Sequence, residues 1–272
     1  MPLFAIPFPV MNPVAFAVGL VEVHWYGLAY MCGLLFGWLY ARSLLSNQLL
    51  WDGKSPAGPE IADDLLLWTT LGVVLGGRLG YVIFYEPAYF FANPMDIPKL
   101  WNGGMSFHGG LAGVCLAVFL FARAKKVPMM SLADVCCAAA PFGLFFGRLA
   151  NFVNGELWGR ASDVPWAMVF PGAGPDSRHP SQLYEAALEG LALFLIIRYF
   201  THVHKVLRLP GYASGIFFAG YALARITAEN FRMYDPEHAF STGILTPGIV
   251  YSVPMIAIGI YVIWRAKRRA AA

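Results

Sequence analysis

The sequence predicts an all-α integral membrane protein of seven transmembrane helices, with the N-terminus outside and the C-terminus cytoplasmic. Three observations carry that reading. Only 13% of the 272 residues are charged, 58% are hydrophobic and the mean hydropathy is +0.57, whereas soluble domains carry charge on about a quarter of their residues. Seven apolar runs each approach the roughly 20 residues that a span requires. Lysines and arginines fall unevenly between the loops, and that imbalance sets orientation. Residues 1–272 read as a single polytopic membrane domain with an external loop region at head-group level around 155–180. The bilayer is thus one partner, and nucleic acid is not: the formal net charge is +3, with no basic run outside the C-terminal tail to track a phosphate backbone.

Taken in order, the chain begins Met1-Pro-Leu-Phe-Ala-Ile-Pro-Phe-Pro, which has no basic start and so is not expected to be a cleavable signal peptide. The expected spans are 25–42, 65–85, 107–123, 134–152, 181–200, 212–231 and 248–265. In the second, Gly72, Gly76 and Gly80 recur every four residues, a pattern that lets two helix backbones approach closely. The fourth contains Pro141, which removes one helical hydrogen bond. Cys32, Cys115, Cys136 and Cys137 lie in apolar runs without metal-ligand spacing and read as small hydrophobes.

Loop charge then orients the bundle. Twelve Lys and Arg residues fall on the side that holds the C-terminal tail and four on the other, Lys99, Arg160, Arg178 and Arg232. The remaining three, Arg78, Arg148 and Arg225, lie inside spans two, four and six, each in the outer part of its span. An ionisable residue within a span marks a functional site more often than not, although an arginine near a helix end also snorkels to the interface. Other polar residues gather at the same level: His24 and Tyr26 open span one, His108 opens span three, and Arg178 to Glu185 open span five with Glu189 a turn deeper. Tyr221, Arg225, Glu229 and Arg232 share one helix face by their spacing. Glu229 there holds two arginines with positive charge to spare, or the four form an ion-pair ladder that only fixes helix packing.

Arginines at head-group depth suit an anion, because the planar guanidinium matches phosphate. His108 adds a group that titrates near neutrality and so suits a general base; an interfacial hydrogen-bonded histidine is the plainer reading of the same residue. No metal-ligand pattern, nucleotide-binding glycine loop or serine nucleophile elbow is present, so neither metal nor cofactor is expected and a nucleophile must come from a substrate. Gly172-Ala-Gly174 reads as a turn, and Asp163, Asp176, Asp235 and Glu237 as solvated loop charges.

These residues also resemble a known family. Gly147-Arg148-Leu-Ala-Asn151-Phe-Val-Asn154-Gly-Glu156-Leu-Trp-Gly159 resembles the signature of bacterial prolipoprotein diacylglyceryl transferases. Four further blocks match in order: His24-Trp-Tyr26-Gly, Gly103-Gly-Met-Ser-Phe-His108-Gly-Gly, Arg178-His-Pro-Ser-Gln-Leu-Tyr-Glu185, and Arg225 through Arg232. The resemblance implies transfer of the diacylglyceryl group of phosphatidylglycerol to the lipobox cysteine of a prolipoprotein signal peptide, in the bacterial plasma (inner) membrane, at a site facing the outer leaflet. It also implies roles. His108 is then the candidate base, and Arg148 and Arg225 stabilise the departing phosphate. Tyr26, Asn151, Asn154, Glu156, Tyr221, Glu229 and Arg232 line the head-group pocket. Arg78 stays open between pocket and packing. The alternative is a transporter or binding protein for an anionic phospholipid, which would need polar groups through both halves of the membrane.

Overall fold

Helices form where the apolar runs predict them. A computed structural model describes residues 6–9, 12–19, 21–233 and 245–271, and its long helices are α1 (Trp25–Ser46), α2 (Ile61–Phe84), α4 (Phe107–Lys125), α5 (Met129–Val153), α8 (Tyr212–Glu229) and α9 (Pro247–Ala271). The predicted span 181–200 is an unbroken helical stretch in three parts, α6 (Ser181–Glu185), a π-helical segment (Ala186–Ala192) and α7 (Leu193–His202). Among the described residues, α1, α2, α4, α5 and α9 are long and apolar enough to cross a membrane. Helix α8 carries Arg225 and Glu229 and is less apolar, and the 181–202 stretch is divided into pieces of 5, 7 and 10 residues, each shorter than a span. Helix α5 runs on through Pro141.

Four short strands, of two to five residues, are added to this helical frame. β1 (Ile6–Pro7) pairs in parallel with β4 (Met168–Val169), and β2 (Val14–Val18) forms an irregular hairpin with β3 (Val21–His24). The chain divides into two compact units, Met1–Tyr40 with Asp134–Ala272, and Ala41–Ala133. Asp235 and Glu237 lie outside the described residues.

In the second unit, α2 and α4 meet along glycines. A Cβ on Gly80 would stand 2.7 Å from the Gly109 Cα, and Gly72 and Gly76 face Gly113 and Gly109 even more closely. This is the close approach expected from the four-residue glycine repeat. At one end of the pair, Asp63 and Asp64 occupy the first turn of α2, where carboxylates favour the helix dipole. They bind Arg42 and Lys125, the latter at 2.6 Å. At the other end Arg78 is buried, and its guanidinium donates to the carbonyls of Asp96, Ile97, Lys99, Gly103 and Gly104. It also lies 5.0 Å from the ring of Phe90 in α3 (Pro87–Ala92). One side chain thus folds the segment between α3 and α4, and Arg78 takes the packing role.

In the first unit, α1 and α5 come together at small residues, Gly33 against Gly143 and Gly37 against Ala139. Gly215 of α8 meets Gly259 of α9, where a Cβ would lie 2.7 Å from the opposite carbonyl. The start of α8 is fixed from outside the helix. Asp134 of α5, fully buried, accepts from the backbone N–H of Gly211 and Ser214 and from the Ser214 hydroxyl, each at 2.7 Å. Gly211 has φ of 100°, a conformation side chains disfavour, so the turn into α8 needs glycine.

Candidate functional site

Three arginines of the first unit converge on two carboxylates from the π-containing helix. Arg148, near the end of α5, lies 2.8 Å from Glu185 and 3.5 Å from Glu189. Arg225 of α8 lies 3.1 Å from Glu185, 3.6 Å from Glu189 and 3.0 Å from Glu229 one turn on. Arg232, just beyond α8, reaches Glu185 at 2.8 Å and Glu229 at 3.7 Å. Glu185 and Glu189 are 0% exposed, while the arginine side chains keep 16–22% of their surface accessible. The carboxylates form the floor and the guanidiniums face outward.

On α8 Tyr221, Arg225 and Glu229 share a face, with Tyr221 within electrostatic range of Glu189 and Arg225. The helix ends at Glu229, however, so Arg232 reaches Glu229 from beyond the helix and not from the predicted face. The positive surplus expected from that stripe alone is not present, because Glu185 and Glu189 bring the count to three guanidiniums and three carboxylates. Glu185 was legible only as part of a polar block; its place as the common partner of Arg148, Arg225 and Arg232 depends on tertiary packing. The π-helical segment, with its wider turn, begins directly after Glu185 and contains Glu189. Such insertions occur mostly at functional positions.

The signature loop adjoins this cluster. After α5, Gly155 turns with φ of 66° and the Glu156 N–H returns to the Asn151 carbonyl at 3.0 Å. The Glu156 side chain accepts from Asn151 at 2.8 Å and from Asn154 at 3.5 Å. Gln182 donates to the Glu156 carbonyl and Ser181 to that of Leu157. Gly159 donates to the His179 carbonyl and Arg160 to that of Phe231, while the Arg160 side chain holds the Arg232 carbonyl at 2.8 Å. Three sequence blocks far apart in the chain are thereby stitched backbone to backbone. His179 packs between Tyr184 and Phe231, and its burial holds its pKa below the usual imidazole value.

A cleft of about 640 Å³ opens beside the loop, lined by His24, Tyr26, Asn154 and Glu156 together with Phe8 and Pro171. Tyr26 shares its hydroxyl with that of Tyr30 at 3.1 Å. A second, wholly apolar cleft of about 210 Å³ is walled by Phe36, Phe142, Phe145, Phe146 and Phe194. Phe145 and Gly190, which line it too, neighbour Arg148 and Glu189 in sequence. His108 belongs to the other unit. It is exposed, in the first turn of α4, which Ser106 caps by accepting the Gly109 N–H at 3.2 Å. The Ser106 N–H in turn donates to the Gly77 carbonyl at 2.8 Å, so the start of α4 is tied to the residue before Arg78. Among the described residues no group of His, Cys, Asp and Glu is arranged to hold a metal ion.

Helices long and apolar enough to cross a membrane, with three guanidiniums gathered on buried carboxylates, define a helical integral membrane protein with a charged cluster inside one of its units. Comparison with known proteins makes this specific. The chain belongs to the prolipoprotein diacylglyceryl transferase family, whose model matches residues 13–265. A phosphatidylglycerol–prolipoprotein diacylglyceryl transferase from Rhodopseudomonas palustris is 53% identical across all of this chain and 96% of its own length. Those of Rhizobium meliloti and Brucella ovis are 52% and 50% identical, over 98% and 100% of this chain and 96% and 97% of theirs.

Proposed function

We propose that the chain transfers the diacylglyceryl group of phosphatidylglycerol to the lipobox cysteine thiol of a prolipoprotein signal peptide. Family membership across nearly the whole sequence supports the reaction, and the arginine–glutamate cluster is the observation that carries the site. A carbon–sulfur bond forms at the glycerol carbon, the carbon–oxygen bond to phosphate breaks, and glycerol phosphate leaves with the electron pair. A free thiol has a pKa near 8.5, so its proton must be removed, and His108 is the base. Negative charge grows on the departing phosphate, and Arg148 and Arg225 are the groups aimed at it, each already desolvated on one side by its carboxylates. Arg232 and Glu229 complete the phosphate end. Tyr26, Asn154 and Glu156 bound the head-group cleft, Asn151 orients Glu156, Tyr221 belongs with the arginine cluster at the phosphate end, and the phenylalanine cleft takes an acyl chain. No cofactor or metal enters.

In this reading the protein is one polytopic domain of seven spans in the bacterial plasma membrane. The N-terminus lies outside, the C-terminus lies in the cytoplasm, and the site and the 155–180 loop region face the outer leaflet. The excess of Lys and Arg on one set of loops supports that orientation. The test mixes purified protein, labelled phosphatidylglycerol and a lipobox peptide, and weighs the peptide by mass spectrometry. Arg148→Ala is expected to abolish the diacylglyceryl mass increment while the protein remains folded; undiminished transfer would sink the site. Lipid binding with no increment from the unaltered chain would instead favour a lipid-binding protein.

A further inference from the structure

Within the cluster the three carboxylates are held very unequally. Glu185 has guanidinium contacts at 2.8, 3.1 and 2.8 Å from Arg148, Arg225 and Arg232. Glu229 is held by Arg225 at 3.0 Å and reached by Arg232 at 3.7 Å, both at an Oε2 that itself receives no hydrogen bond. Glu189, from the π-helical segment, has no contact shorter than 3.5 Å from Arg148 and 3.6 Å from Arg225. One of its oxygens, Oε1, receives no hydrogen bond, and the residue is 0% exposed. Buried polar atoms are nearly always satisfied, so an orphaned carboxylate oxygen in this position needs a reason.

Charge supplies one. Three guanidiniums and three carboxylates sum to zero, and a phosphodiester head group brings one further negative charge into a site screened from water. Uncompensated charge in such surroundings is costly. The arginines that would turn toward phosphate are the ones now facing Glu185 and Glu189, so one carboxylate loses its partners when the anion enters. Glu189 has the weakest contacts to lose: it has none shorter than 3.5 Å and is fully buried. Glu229, which also has an oxygen without a hydrogen bond, keeps Arg225 at 3.0 Å and is 9% exposed. Every titratable or charged group known to face it belongs to the same set: Glu185 on its own helix, Arg148 from α5, Tyr221 and Arg225 from α8, and Arg232 beyond it. Arg160 and Arg178, nearby in the loop, donate to backbone carbonyls.

We infer that Glu189 is the residue that takes up a proton when the phosphate of the lipid substrate binds, so that the anion and one proton enter the site together. The inference rests on the lipid-transfer reading above and adds to it a binding residue whose task is to become neutral. Glu189→Gln mimics the loaded state permanently.

The experiment measures affinity for phosphatidylglycerol in nanodiscs across pH, with neutral diacylglycerol as the comparison ligand. For the unaltered chain, affinity for phosphatidylglycerol falls about tenfold per pH unit on the alkaline limb, the slope of one linked proton, and that for diacylglycerol does not. In Glu189→Gln the slope disappears, and affinity at the alkaline end exceeds that of the unaltered chain at least about tenfold. Calorimetry of the unaltered chain in buffers of different ionisation enthalpy gives a second measurement independent of the variant's folding, with one proton absorbed per lipid bound. Equal slopes in both proteins, or no proton absorbed, would overturn the inference and leave the transferase reading intact. An unaltered chain that neither binds phosphatidylglycerol nor modifies the peptide overturns both.

Discussion

Arg78 and Arg148 sit in similar sequence surroundings, Gly77-Arg78-Leu79 and Gly147-Arg148-Leu149, yet the molecule uses them in opposite ways. Arg78 spends its donors on five backbone carbonyls between Asp96 and Gly104. Carbonyls are neutral, cannot leave and cannot titrate, so that guanidinium is committed to one loop. Arg148 faces Glu185 and Glu189, partners of opposite charge that an incoming anion can replace. A buried arginine bonded to main chain holds shape, whereas one bonded to side-chain carboxylates holds a charge in readiness. The two positions differ in partner chemistry more than in burial.

That contrast can be broken in three places. The largest effect is expected at Glu185→Ala, which strips the common partner from three arginines. Activity should fall by about 10²–10³ or more, and unfolding in detergent should show a loss of about 3–5 kcal/mol, the usual result of unpairing buried charge. A fully active, fully stable variant would mean that the cluster is ornamental. Next comes Arg78→Met, which leaves several inward carbonyls without donors at about 1–3 kcal/mol each. Thermal stability should drop while the apparent affinity for lipid among surviving folded molecules is unchanged. A lipid KM defect at normal stability would move Arg78 into the pocket and erase the distinction drawn above.

The smallest effect concerns His179, whose pKa is depressed by burial from its ordinary value of 6.5. The folded chain then binds fewer protons than the unfolded one, so stability is complete above about pH 6.5 and erodes as pH falls below it. Replacing His179 with Phe should flatten that acid limb by about 1–3 °C in Tm between pH 7 and 5. An unchanged limb would place the acid sensitivity elsewhere.

Much of this was legible in the residues. Among the described residues, apolar runs located the five helices long and apolar enough to cross a membrane, and also the helical stretches at 181–202 and 212–229, because a long apolar run leaves a continuous hydropathy signal. The spacing of Tyr221, Arg225 and Glu229 fixed a helix face, while Arg232, counted on it too, lies past the helix end at Glu229. Tertiary pairing was harder to read. Glu185 and Glu189 meet Arg148 across about 40 residues of sequence, and nothing local in either segment announces the partner. The π-helical segment carries no distinctive residue pattern. Arg78 stayed ambiguous for a related reason, since its partners are main-chain oxygens, which every residue possesses. The strands escaped notice because β1 and β4 are two residues long.

Asp134 has a mechanical consequence. It rivets the first turn of α8 to α5, 14 residues before Arg148 and 11 before Arg225. At 1.5 Å per residue those arginines ride about 21 and 16 Å along their helices from the fastening. The two helices are thus fastened at two levels, by Asp134 at their starts and by Glu185, which both arginines contact, further along. The spacing of the two arginines is therefore set by hydrogen bonds about 16–21 Å away from them as well as by the carboxylate they share.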